Sequence, residues 1–103
     1  MAQKKTVKKI KNSVVVVRTF SAGVHVGVLV SRNGRDVELA DARRIWRWSG
    51  ANTLNELSQM GVDETGSTRI SEPVPSITLT EAIEVIPCSI IGAANLQRSR
   101  WSS

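Results

Sequence analysis

The sequence predicts an α+β domain, a mostly antiparallel β-sheet with one central helix and a short C-terminal helix. Three observations carry this. β-branched residues crowd the first third of the chain, beginning with Val14-Val15-Val16-Val17, a composition that suits a buried pleated surface. The early apolar runs are separated by tight turn signals rather than by helical crossovers, which makes their pairing antiparallel. One segment, Thr53 to Gly61, carries a helical repeat and signals at both ends.

The elements follow in order. Residues 1 to 12 read as a flexible basic arm. Ser13 to Phe20 reads as a strand buried on both faces at its centre, and Ser21-Ala22-Gly23 breaks it. In Val24 to Ser31, Val24, Val26, Val28 and Val30 fall on one face and His25, Gly27, Leu29 and Ser31 on the other. Asn33-Gly34 is a two-residue hairpin signal, because both positions tolerate positive φ, and Asp36 to Ala40 is the partner strand. Arg43 to Trp48 reads as a further strand with Ile45 between Arg43 and Arg47, and with Trp46, Trp48 and Arg44 opposite. In the helix, Thr53 and Glu56 have capping-box spacing, Leu54, Leu57 and Met60 share a face, and Gly61 stops it. Asp63 to Thr68 is a polar loop. Pro73 and Pro75 predict an edge or an extended entry. Ser76 to Thr80 and Ala82 to Ile86 read as two strands or one bent one. Ser89 caps a final helix running to Leu96.

The chain has 103 residues, one domain's worth, with 13 to 103 as the α+β body. A domain of this size has a thin stability margin, which favours an oligomer. No apolar run approaches the roughly 20 residues that span a bilayer, and no signal peptide is recognisable, so the reading is cytosolic. The single cysteine, Cys88, lies in an apolar run and reads as a small buried hydrophobe.

The net charge is +5, from 14 cations and 9 acids. Lys4, Lys5, Lys8, Lys9 and Lys11 hold all of that excess, and the rest of the chain is formally neutral. Every cation after Lys11 is an arginine, whose planar fork suits phosphate and stacks on rings.

Catalysis has little to stand on. His25 is the only histidine and lies far in sequence from Cys88. No clustered metal-ligand spacing, phosphate loop or dinucleotide fingerprint is present. The sequence therefore calls for no metal and no cofactor.

What remains is arginine with aromatic and small residues. Trp46 and Trp48, flanking Arg47 next to Arg43 and Arg44, form a first patch, suited to phosphates and base stacking, with Arg43, Arg44 and Trp46 as its candidate ligand contacts. For Trp46, stacking surface and core packing are equally open; for Trp48, core packing is favoured. Arg18, Thr19, Phe20, Ser21, Ala22 and Gly23 form a second patch, where small residues let a ligand approach backbone N–H groups, and His25, just beyond it, is a further candidate ligand contact. A plain hairpin turn is the competing reading. Asn95, Arg98 and Arg100 form a third, unless that end is simply an exposed tail.

Three stretches carry a resemblance. They are residues 15 to 27, Val-Val-Val-Arg-Thr-Phe-Ser-Ala-Gly-Val-His-Val-Gly; residues 42 to 57, with Arg43-Arg44-Ile45-Trp46-Arg47-Trp48 and Thr53-Leu54-Asn55-Glu56-Leu57; and residues 79 to 88, Leu-Thr-Glu-Ala-Ile-Glu-Val-Ile-Pro-Cys. Together they resemble a group of small phage-encoded proteins, and through it the anti-Thoeris proteins that sequester immune signals. The resemblance implies a phage immune-evasion protein of the host cytoplasm. Such a protein would bind cyclic ADP-ribose isomers, or cyclic oligonucleotides at separate sites, without cleaving them. It would form a symmetric homo-oligomer, such as a hexamer, with ligand between neighbouring protomers. Arg98 and Arg100 would be the C-terminal arginines that engage ligand phosphates, and Asn95 would match a polar position of the pocket.

Two other readings compete with a sponge. One is a nucleic-acid-binding module that uses the lysine arm and the Arg-Trp strand. The other is an inhibitor of a host protein that docks through an exposed sheet.

Overall fold

The computed structural model describes residues 13–63 and 67–99. Among these residues the order is β1 (Val14–Thr19), β2 (Val24–Asn33), β3 (Asp36–Arg47), α1 (Leu54–Met60), β4 (Arg69–Ile70), β5 (Val74–Leu79), β6 (Ala82–Pro87) and α2 (Ile90–Arg98). The expected α+β architecture is observed, with a mostly antiparallel sheet, a central helix and a C-terminal helix. The arm at residues 1 to 12 lies outside the described residues.

Strand order is β4-β3-β2-β1-β6, with β5 also on β3, and every pairing is antiparallel. β4 and β5 lie end to end along one side of β3, opposite Ile45–Arg47 and Val37–Ala42. β6 lies on β1, so the Thr80–Glu81 connection carries the chain from one margin of the sheet to the other. The sheet therefore curls on itself. Val15, Val17, Leu29, Val37, Leu39, Ala42, Leu79 and Ala82, drawn from five strands, form one buried cluster inside the curl. The outer face carries Val16, Val26 and Ile45, which pack under Leu57 of α1 and Leu96 of α2. Two faces of one sheet thus have two cores, which is why the valine run of β1 is buried on both sides.

β3 is one strand where the sequence predicts two. Asp41 adopts φ 49°, and the β2–β3 register shifts nearby, between the Val26–Arg43 and Val28–Ala40 pairs. This extra residue is a bulge that lets Leu39 and Ala42 both face inward. The bulge presses on Gly27, where a Cβ would stand 3.0 Å from the Ala40 carbonyl oxygen. The hairpin turn lies one residue later than the Asn-Gly reading, because Asn33 pairs with Asp36 and leaves Gly34 (φ 62°) and Arg35 at the tip. Val30 is exposed, because β2 outruns the helices there.

Both helix caps form. Thr53 Oγ1 accepts from Glu56 N at 3.2 Å, and Glu56 Oε1 accepts from Asn52 N at 2.7 Å, so the reciprocal bond of the box falls one residue early. Ser89 Oγ accepts from Gly92 N at 2.9 Å. The buried side of α1 is Leu57 with Ser58, and Met60 is exposed. The two helices touch at Gly92, whose missing side chain leaves room for the Ser58 carbonyl. β5 with its Pro75 lies at the margin beside β3, as expected.

Candidate functional site

Inside the curl, His25 of β2 pairs with Arg44 of β3 and Val17 of β1. Directly opposed residues of a sheet share a face, so the histidine lies on the side of the inner cluster. Its neighbours there, Gly27 and Ala42, are small, and space remains. A recess of about 200 Å³ is lined by His25, Ala42, Arg43, Arg44, Ser71, Val74 and Ile77.

His25 is 1% exposed. Its Nε2 accepts from Nε of Arg44 at 3.2 Å. A guanidinium only donates, so Nε2 is bare and the proton of the neutral ring sits on Nδ1. Burial, and then the nearby Arg44 charge, lower the imidazole pKa to about 4, so at neutral pH the ring is uncharged. Nδ1 has no hydrogen-bond partner among the described residues. An unsatisfied buried donor costs roughly 1–3 kcal/mol, and Ser49 Oγ is buried in the same condition.

Ser71 holds the far wall. It occupies the break between β4 and β5 and bonds Arg44 in both directions: its N donates to Arg44 O at 2.9 Å, and its Oγ accepts from Arg44 N at 2.9 Å. Nothing in the sequence marks Ser71, because its partner is 27 residues away and no local pattern encodes that pairing.

Two residues beyond Arg44, roughly 7 Å of strand rise, Trp46 is 61% exposed. The Arg69 guanidinium carbon lies 5.5 Å from the centre of its ring, within cation–π range. Trp48 instead packs beneath the helices and donates from Nε1 to Ala51 O at 3.1 Å. The two readings held open for Trp46 thus resolve toward exposed surface, and Trp48 is part of the core.

Several other candidates stand elsewhere. Arg43 is 5% exposed and is a structural clamp. Its Nε donates to Ser71 O at 2.9 Å, its Nη1 to Leu96 O at 2.7 Å and Gln97 O at 2.9 Å, and its Nη2 to Ser99 O. It ties β3 to the C-terminus of α2, where a cation also suits the helix dipole. Asn95 is buried as well. Its Oδ1 accepts from Val62 N at 2.8 Å and its Nδ2 donates to Val62 O at 3.0 Å, so both halves of the amide are engaged on one backbone residue. Arg43 and Asn95 are corrections to the sequence reading, since the groups expected to meet a ligand are already committed to the fold.

The second patch is not brought to the recess. Arg18 alternates with the inward-facing Val17 and pairs with Glu84 at 3.7 Å on an exposed surface. The loop after it is a closed turn. Thr19 Oγ1 donates to Gly23 O and accepts from Ala22 N, both at 2.8 Å. Phe20 N donates to Glu81 O, and the Ser21 hydroxyl donates to the Glu81 carboxylate. With two of its N–H groups engaged and an acid alongside, this loop is no anion cradle. Phe20 is 79% exposed, and Gly23 (φ 84°) makes the turn. Arg98 is exposed at the end of α2, and Arg100 lies outside the described residues.

Cys88 packs against the helix-side cluster, and burial pushes its thiol up to about 11. Among the described residues, no group of three or more His, Cys, Asp or Glu is placed to hold a metal, and no helix is long and apolar enough to cross a membrane.

A curled antiparallel sheet backed by two helices, with an arginine–histidine recess, defines a small α+β domain. The chain belongs to the DUF6948 family, a domain of unknown function, whose pattern spans residues 12–96. No curated protein and no solved structure matches the chain.

Proposed function

We propose that this protein binds a nucleotide-class small molecule and holds it intact, as a sequestering protein of phage origin that acts in the host cytoplasm would. The observation that carries the reading is the recess where an unsatisfied buried histidine donor meets an arginine, with an exposed tryptophan two residues along the same strand. Donors and positive charge suit phosphate, and an exposed indole suits a base.

Retention without turnover is supported by the ionisation of the available groups. At neutral pH the bare Nε2 of the uncharged His25 is already taken by Arg44 and Cys88 is protonated, so neither is poised as a general base or a nucleophile. Assembly as a homo-oligomer is supported by size. A recess of about 200 Å³ falls below the 300–1,000 Å³ usual for small-molecule pockets, so a nucleotide needs a second protomer to cover the rest of it. Met60, Ile90 and Ile91, exposed around the crossing of α1 and α2, supply apolar surface for such an assembly.

The test is size-exclusion chromatography with light scattering on the full chain. The protein is first incubated with a mixture of cyclic ADP-ribose isomers and cyclic oligonucleotides. Heat release and mass spectrometry then identify anything retained. An oligomer that returns an intact cyclic nucleotide supports the reading and names the ligand. A monomer that returns nothing sinks it.

A further inference from the structure

The curl has a second recess, away from His25. Its volume is about 200 Å³, and it is lined by Ser13, Val15, Leu29, Arg32, Val85 and Pro87. Val15 and Leu29 belong to the inner cluster and Val85 packs against it, so the hydrocarbon of the recess is continuous with the core. Arg32 is the one charged residue among those that line it. Its presence there has a local cause. From Leu29 to Ser31 β2 advances two residues while β3 advances one, from Leu39 to Glu38. Val30 is therefore an extra residue, a bulge that re-aims the strand beyond it. Regular alternation from the inward Leu29 would put Arg32 on the outer face. The bulge instead sets it opposite Val37 of the inner cluster, and directly opposed residues share a face. A cation is thus turned toward the apolar side of the sheet.

Arg32 makes no ion pair among the described residues. Its one hydrogen bond there is long, Nε donating to Gly34 O at 3.5 Å, which leaves both Nη nitrogens to a guest. The recess therefore offers a guanidinium fork beside hydrocarbon. A cation is repelled by the fork, and a purely apolar guest gains nothing from it. A phosphate monoester brings close to two negative charges against a single arginine. A carboxylate brings one, and its two oxygens match the fork. An engineered cavity of about 150 Å³ holds benzene, so about 200 Å³ suits a chain of roughly six carbons. We infer that this recess binds a short-chain carboxylate, its hydrocarbon on Val15, Leu29 and Val85 and its carboxylate on Nη1 and Nη2 of Arg32. The seat is independent of the nucleotide reading, because it shares no lining residue with the His25 recess.

The experiment is a methyl ¹H–¹³C NMR titration of the full chain at neutral pH with hexanoate, butanoate and hexan-1-ol. Hexanoate should shift the methyl signals of Val15, Leu29 and Val85 saturably and leave those of Val26 and Ile45, on the outer face, in place. Butanoate, shorter by two methylenes, should bind about tenfold more weakly. Hexan-1-ol, which has the chain without the charge, should also bind about tenfold more weakly, the worth of one charge-assisted hydrogen bond. Arg32→Gln should bring hexanoate down to the affinity of hexan-1-ol and leave hexan-1-ol unchanged, while Arg18→Gln alters neither. No saturable shift at the inner methyls, equal affinities for hexanoate and hexan-1-ol, or an undiminished hexanoate affinity in Arg32→Gln overturns the inference. The wild-type comparison of hexanoate with hexan-1-ol needs no variant to fold, and circular dichroism checks the others. Sequestration of a nucleotide stands or falls on the chromatography, and this seat on the titration.

Discussion

Replacing Arg43 by methionine separates a structural arginine from a ligand-binding one. The side chain is buried, and its three guanidinium nitrogens reach Ser71, Leu96, Gln97 and Ser99 carbonyls. Hydrogen bonds to a charged donor are worth about 1.5–3 kcal/mol each. Four of them do not simply add, because methionine avoids the cost of burying a guanidinium. The Leu96 and Ser99 carbonyls lose their donor in buried positions, and a net loss of about 3–5 kcal/mol follows, from roughly 1–3 kcal/mol for each buried acceptor left unpaired and a smaller cost at the part-buried Ser71 and Gln97 carbonyls. A domain of this size has only about 5–15 kcal/mol in total. The melting temperature should therefore fall by at least about 12 °C, taking roughly 4–8 °C per kcal/mol. Urea unfolding followed by tryptophan fluorescence measures the loss, since Trp48 sits on the helix-side cluster. Arg43→Lys should recover less than half, because a single ammonium cannot span carbonyls on two elements. An Arg43→Met protein within about 1 kcal/mol of wild type that had lost its ligand would refute the clamp and return Arg43 to the binding site.

Three further outcomes are expected. The folded pKa of His25, about 4, lies below its unfolded value near 6.5, so the unfolded state takes up the proton first. The stability contributed by the neutral ring is complete above pH 6.5 and disappears as pH falls toward 4, by about 3 kcal/mol; His25→Gln should flatten that part of the pH–stability curve, and an unchanged slope would contradict it. Gly92→Ala puts a methyl group onto the Ser58 carbonyl where the helices meet, backbone against side chain with no rotamer to relieve it, and should cost about 2–3 kcal/mol; a neutral result in thermal melts would mean the helices do not cross there. Trp46→Ala should change stability by less than about 1 kcal/mol, given its exposure, yet weaken a nucleotide by about 1–3 kcal/mol through lost stacking, as calorimetry would read; equal affinity for both proteins would remove Trp46 from the site.

The sequence determined the local elements because each rests on neighbours. The Thr53 and Ser89 caps, the Gly61 stop and the proline of an edge strand all express interactions within a few residues, and all are found. Arg44 and His25, both named from the sequence, line the recess, and Trp46 lies two residues further along β3. The tertiary structure alone decided which arginines are free to act. Arg43 and Arg44 are adjacent in the chain and point to opposite faces of β3, one into the end of α2 and the other to His25. A pattern of period two says only that they differ; which face the helices cover was settled by contacts 53 residues apart. The bulge at Asp41 shifts that assignment by one position, and the pairing of Ser71 with Arg44 crosses 27 residues. Long-range registers of this kind leave no periodic trace in the sequence, so the residues that wall the recess became visible only when the sheet curled and brought them together.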